Sequence, residues 1–240
     1  MLMAIRLFIL FIIFSSAAMA AEYRELPNAY AKRFTDSKLL KVSVIDEEAS
    51  ADLFRRFASD KSIAFGYPLN GCYVRATQMA LIAESQGIEV AKIYVKGLLR
   101  SATKSVHFPR ATWGWHVAPV AFVKSSATGV VELMVYDPSL VDQPISISQF
   151  EALLGQQFQD DISGDQAIVD GHYFGARFQF MEDWKNEKNK TAWSQDDLER
   201  TERYSQYYMR LQNHPELIDK NGDDFKLNSR WIKLPVEAAL

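Results

Sequence analysis

One cysteine, one histidine and one aspartate are spaced so that this chain could build a nucleophilic site. Cys72 is the only cysteine among 240 residues. It follows Pro68-Leu69-Asn70-Gly71 and opens an apolar run that reads as a helix. Unpaired N–H groups and the macrodipole favour negative charge at a helix start, which is where a thiol becomes a thiolate. The competing reading is a small core hydrophobe, since free cysteine is among the most buried residue types.

The second pair comes from strand register. Residues 116–123 and 130–137 read as strands joined by Lys124-Ser125-Ser126-Ala127-Thr128-Gly129. In an antiparallel hairpin the paired positions keep a constant index sum, and pairing Lys124 with Gly129 sets His116 opposite Asp137. Directly opposite side chains lie roughly 5 Å apart on one face. A carboxylate at that distance fixes an imidazole tautomer and stabilises its charged form. A bulge would shift the pairing, and Pro119 has no N–H for the ladder. Taken singly, His116 reads equally as a satisfied strand-end histidine, and Asp137 as the start of a turn before Pro138. Taken together with Cys72 they are the parts of a Cys-His-Asp site, with His116 moving protons and Asp137 orienting it.

The elements that must hold these residues follow from pattern and caps. Residues 39–45 read as a short strand. Asp46 caps a helix over 47–59, with Glu47 and Glu48 in its first turn and Arg55 and Arg56 later. Ala51, Phe54, Phe57 and Ala58 make its expected buried stripe. Asn70 is the expected N-cap of the cysteine helix, which runs to Gln86 and stops at Gly87. Cys72, Ala76, Met79, Ala80 and Ala83 share one face of it, and small residues there allow close approach to a sheet. Residues 90–99 alternate as a strand, with Ala91, Ile93 and Val95 against Lys92, Tyr94 and Lys96. Residues 100–112 are expected to be a polar loop containing His107. Residues 148–158 read as a short helix, 159–170 as acidic loop and 173–180 as a strand. Ser194 opens a long helix to about Asn213, closed by Pro215, and Asn221-Gly222 marks a turn.

Length and composition allow one large domain with an ample core, since 48% of residues are hydrophobic and 12% aromatic. Residues 1–20 form a secretory signal: Arg6, the apolar run from Leu7 to Phe14, then Ala18-Met19-Ala20. The apolar run is too short for a comfortable span, and no second stretch is long enough. The expected product is exported, periplasmic or secreted, with no stable membrane association after cleavage. Without Arg6, 26 basic residues face 30 acidic ones, a formal charge of −4. That is no footprint for nucleic acid. Export also makes an unpaired cysteine notable, as a reactive thiol or an intermolecular bridge.

Other chemistries have weaker support. Four histidines and one cysteine show no metal-ligand spacing, so neither metal nor cofactor is expected. There is no glycine-rich phosphate loop and no nucleophile elbow around serine. His107 is a rival base without an evident partner, while His172 and His214 read as structural or solvent-facing. Arg75 reads as a brace of the cysteine helix through a salt link.

Three blocks carry a family resemblance. Gly71-Cys72-Tyr73-Val74-Arg75-Ala76, then Trp113-Gly114-Trp115-His116-Val117-Ala118, then Tyr136-Asp137-Pro138-Ser139-Leu140, resemble the bacterial protein-glutaminases, which deamidate glutamine side chains in proteins. Val95-Lys96-Gly97-Leu98-Leu99-Arg100 also looks like that family's strand and following loop. The resemblance covers residues 71–140 and implies an α+β fold with a papain-like, transglutaminase-like core. In it a nucleophile helix packs on an antiparallel sheet, with additional C-terminal helices. It implies one catalytic domain over 21–240, with the core at about 39–180 and a helical extension over 181–240. It implies Cys72 as nucleophile, His116 as general acid and base, and Asp137 as the orienting carboxylate. Trp113, Trp115 and Asn70 become candidate substrate contacts, the tryptophans being equally readable as core or rim packing. The expected partners are proteins or peptides with accessible glutamine, and a monomer is favoured. Better-known members carry extra cysteines in disulfides and a long pro-segment. One cysteine allows no internal disulfide, and zymogen control by a long pro-region is not expected here. The alternatives on the same residues are a transglutaminase, a cysteine peptidase and a non-catalytic binding domain.

Overall fold

The computed structural model describes residues 22–29, 39–158, 166–179 and 192–218. Residues 1–20, read as a secretory signal, and the turn expected at Asn221-Gly222 lie outside them. Among the described residues seven strands form one sheet: β1 (Tyr23–Pro27), β2 (Leu39–Asp46), β3 (Ala91–Ala102), β4 (Arg110–Lys124), β5 (Val131–Val135), β6 (Ile145–Ser146) and β7 (Ile168–Ala176). Four α-helices of the described residues accompany them: α1 (Glu47–Ser59), α2 (Cys72–Ser85), α3 (Ile147–Leu154) and α4 (Gln195–Asn213). A 3-10 turn over Pro215–Leu217 follows α4.

The sheet runs β1-β2-β4-β3-β7, with β5 on β4 and β6 on β5. It is mixed rather than wholly antiparallel. β2 lies parallel to β4, with Val44, Ile45 and Asp46 beside Phe122, Val123 and Lys124. The reason is in β4, a 15-residue strand that outruns β3. β3 pairs it only as far as Val120, and β2 takes over the same ladder from Phe122.

Both faces of the central strands are covered. Tyr94 packs with Val74, Ala76 and Val117 on the α2 side, and Ile93 and Val95 pack with Phe150 and Leu154 of α3. Neighbouring strand residues point to opposite faces, so α2 and α3 flank the sheet. The alternation in 91–96 therefore marks a strand but not a wet face. Lys92 is wholly buried, its Nζ donating to Thr77 Oγ1 (2.8 Å) and to the Gln179 carbonyl (3.2 Å).

Local caps act as their residue types dictate. Asp46 accepts the Ala49 N–H at 2.7 Å to start α1. The buried stripe of α1 is Ser50, Leu53, Phe54 and Phe57, not one that includes Ala51 and Ala58, which are exposed. Leu53 offers more apolar area than either alanine, and the helix rotates to bury it. Ser194 and Asp197 form a reciprocal capping box at the start of α4. Ser146 and Gln149 form another at α3, which starts one residue before the expected 148–158 and ends already at Leu154. The strand expected over 173–180 begins at Ile168 and ends at Ala176, and the expected 100–112 loop shrinks to 103–109 because β3 and β4 continue into it. Among the described residues no helix is long and apolar enough to cross a membrane.

Candidate active site

Cys72 is the first residue of α2 and is buried. Its N-cap is Gly71, not Asn70. Gly71 has φ 75°, a left-handed conformation in which glycine meets no Cβ penalty. Asn70 sits one residue earlier, exposed, and its Oδ1 accepts the Gly71 N–H at 2.7 Å. An asparagine just before a glycine can satisfy the turn instead of the helix, and here it does.

Arg75, one helical turn on, is buried. Its Nη1 donates to the carbonyls of Tyr67 and Asn70, both at 2.7 Å. The brace foreseen at this position is therefore a pair of hydrogen bonds to the loop before Cys72, not a salt link to an acid. The Arg75 charge also acts on Asp137.

His116 and Asp137 meet within the core. His116 Nε2 lies 2.6 Å from Asp137 Oδ2, and both side chains are almost fully buried. They do not face each other directly. The β4–β5 ladder pairs Lys124 with Val131 and Val120 with Val135, an index sum of 255 rather than the 253 expected from the loop. Asp137 therefore falls diagonally to His116. A slip of two residues preserves which face each side chain occupies, so the pair still forms. β5 ends at Val135, and the chain turns at 137–141, with Leu140 and Val141 N–H groups both donating to the Asp137 carbonyl at 3.0 Å. That turn brings the carboxylate across the diagonal. Its other oxygen, Oδ1, accepts the Ser139 N–H (3.0 Å) and hydroxyl (2.5 Å).

The ring of His116 is held on its faces as well. The Trp113 ring lies 4.7 Å away and that of Phe150 of α3 5.9 Å away. Trp113 is itself fixed, its Nε1 donating to the Pro68 carbonyl at 3.0 Å. It ties the histidine strand to the cysteine loop and is buried. Trp115 is half-buried on the other face, tilted against Tyr73 at 6.4 Å.

Cys72 lies close enough to the His116 ring to act on it electrostatically. Nδ1 has no partner at full hydrogen-bond geometry, which leaves it as the nitrogen available to the thiol. Such contacts tighten in a substrate complex. Burial works against a charged imidazole, yet the Asp137 and Cys72 interactions outweigh it and raise the pKa to about 9. Burial likewise opposes the Asp137 carboxylate, but hydrogen bonding and charge from His116, the charge of Arg75 and the Ser139 bond hold its pKa below the usual value. At neutral pH the pair is thus imidazolium and carboxylate.

The other histidines lie elsewhere. His107 is exposed, its ring edge-on to Phe108 at 6.4 Å. His172 pairs with Glu151 of α3 at 2.6 Å, and His214 with Glu216 at 3.0 Å, both near the surface. Among the described residues no cluster of three or more His, Cys, Asp or Glu is placed to hold a metal ion. The site also uses residues not singled out in the sequence: Ser139, Phe150 and the α4 residues that reach the cysteine loop. Only Ser139 carried a local signal, since Asp-Pro-Ser is a turn in which an aspartate accepts from the residue two ahead.

A buried thiol at a helix tip, an imidazole in mid-strand and a carboxylate just past a strand end invite comparison with known proteins. A family model described as glutaminase matches residues 47–154. That span contains α1, α2, β3 to β6 and α3, and all three residues of the constellation. Solved structures agree at the level of fold. A crystal structure of protein-glutaminase is 22% identical with TM-score 0.54, covering 69% of this chain and 88% of that one. A crystal structure of pro-protein-glutaminase is 22% identical with TM-score 0.59, covering 82% and 69%. The NMR structure of protein-glutaminase from Chryseobacterium proteolyticum is 23% identical with TM-score 0.55, covering 70% and 90%. No curated protein sequence matches the chain. The protein-glutaminase resemblance read from the three blocks is borne out, and the architecture is the α+β, papain-like fold of those structures.

Proposed function

We propose that this protein is an exported thiol amidohydrolase that converts glutamine side chains of proteins or peptides to glutamate. The observation that carries this reading is His116, hydrogen-bonded to Asp137 at 2.6 Å and facing Cys72, inside the segment matched by the glutaminase family. Residues 21–240 act as one catalytic domain, and residues 1–20 direct export and are removed. Sequencing the N-terminus of the secreted protein tests the last point: a start at Ala21 is expected, and a retained leader would overturn it.

The reaction follows from the residues. The Cys72 sulfur, as thiolate with its proton on His116, adds to the amide carbon of the substrate glutamine. Backbone N–H groups at the start of α2, including that of Cys72, are positioned by the helix direction to stabilise the oxyanion. The C–N bond breaks as His116 gives its proton to the leaving nitrogen, and ammonia departs from a thioester. His116 then takes a proton from water, the water oxygen adds to the thioester carbon, and the C–S bond breaks to return Cys72. Asp137 keeps the ring oriented and its charge compensated through both steps. No metal or redox step is needed for this balance.

A blocked glutaminyl peptide tests the reading. Ammonia release with the amide-to-acid mass change, abolished in Cys72→Ala, is expected. A cut backbone with an intact side-chain amide would establish a peptidase instead. Amine incorporation would establish transglutaminase chemistry, and no turnover of any glutaminyl peptide or protein would favour a binding domain.

A further inference from the structure

The loop that delivers Cys72 is held by α4, a helix outside the matched segment of 47–154. Ser205, Tyr208 and Gln212 are three and four residues apart, so they form one stripe of that helix. Ser205 Oγ donates to the Ser62 carbonyl at 2.8 Å and accepts from Gln78 of α2 at 2.9 Å. Gln212 Oε1 accepts the Gly66 N–H at 2.7 Å. Between them the buried Tyr208 ring stacks on Tyr67, with centroids 5.6 Å apart and planes 19° apart. The same ring fills the space over Gly71: a Cβ there would lie 2.5 Å from Tyr208 Cε2. Three contacts thus hold residues 62–71, and the middle one rests on the left-handed residue that hands the chain to Cys72.

We propose that Tyr208 is a positioning residue for Cys72, its ring holding the Gly71 turn in the one conformation that aims the thiol at His116. The proposal rests on Cys72 being the nucleophile. The flat ring carries the role; the Tyr208 hydroxyl lies 3.4 Å from that of Tyr73, away from the Gly71 turn. Tyr67 and Gly71 instead pack against the ring carbons. α4 in this view is part of the nucleophile's mounting and not an appendage.

The test compares Tyr208→Ala, Tyr208→Leu and Tyr208→Phe with Leu53→Ala, a truncation of a wholly buried α1 residue in a different core cluster. Each is assayed below its own melting temperature, by ammonia release and by the rate of Cys72 alkylation with iodoacetamide. Tyr208→Ala and Tyr208→Leu are expected to lower kcat roughly ten- to a hundredfold with KM within about twofold, as for a misplaced reacting group. Their alkylation rate departs from the wild-type value, Tyr208→Phe restores both readouts, and Leu53→Ala leaves both near wild type. Wild-type kcat and alkylation in folded Tyr208→Leu would overturn the proposal, as would equal losses in Leu53→Ala. A wild-type protein with no ammonia release, or with release that survives Cys72→Ala, would overturn the nucleophile reading itself, which separates the two failures.

Discussion

His116 donates from Nε2 to Asp137 Oδ2 at 2.6 Å while Ser139 holds Oδ1 of the same carboxylate through its N–H and its hydroxyl. Both oxygens of the carboxylate are therefore committed, and the bond to the ring has one available direction. With Trp113 and Phe150 on the ring faces, the imidazole has little freedom to rotate.

Asp137→Asn should remove the charge that sustains the imidazolium while keeping the shape of the site. Ammonia release is expected to fall roughly 10²–10⁴-fold, the range by which positioned acid–base catalysis contributes. The pKa of His116 should fall at the same time, because burial then acts with less opposition. An NMR titration of the imidazole reads the second effect directly.

Ser139→Ala removes the hydroxyl donor but keeps the backbone one. A hydrogen bond to a charged acceptor is worth about 1.5–3 kcal/mol, so an intermediate loss of rate, smaller than in Asp137→Asn, is expected. An unchanged kcat would show that the Ser139 N–H alone fixes the carboxylate.

The pH dependence has a definite sign. The folded pKa of His116, about 9, lies above its ordinary 6.5. The stabilisation it brings is fully present below 6.5 and is lost as pH rises through about 9. Asp137 is shifted down, so its contribution is present above its usual 3.8 and is lost as pH falls through the lower folded value. Urea midpoints measured from pH 3 to 10 should decline at both ends, and His116→Asn should remove the alkaline decline. Ammonia release should fall through the same alkaline window, since the leaving nitrogen takes its proton from His116.

A separate stability test concerns the residue before Asp137. Tyr136 is wholly buried, its hydroxyl 2.7 Å from Ser50 Oγ of α1. Ser50→Ala or Tyr136→Phe alone leaves one buried hydroxyl without its partner and should cost about 1–3 kcal/mol in urea unfolding. The double variant should cost less than the sum of the two, because no orphaned group remains.

Much of this was legible in the sequence, for physical reasons that differ by element. Asp46, Ser194 and Gly87 are local capping signals, and α1, α4 and the end of α2 follow them. The His116–Asp137 pairing was readable through parity: a register error of two changes direct opposition to a diagonal without changing the face. Gly71 was misplaced because Asn70 is chemically able to cap a helix, and only the packing of Tyr208 on the Gly71 Cα selects the other arrangement. The burial of Lys92 was not legible, because alternation reports strand geometry, while burial of both faces depends on where α2 and α3 lie. The link between α4 and the cysteine loop had no local signal at all, since it joins residues about 140 positions apart.

That separation has a consequence for how the molecule comes into being. Ser62 is tied to Ser205 and Gly66 to Gln212, across sequence gaps of 143 and 146 residues. Contacts of such long range form late, after the intervening sheet has brought the two segments together. During synthesis from the N-terminus, Cys72, His116 and Asp137 all leave the ribosome well before α4 exists. A nascent chain, or one truncated before α4, therefore carries the full set of reactive groups on an unbraced loop, and a helix made about 60 residues after Asp137 is the one that completes the mounting.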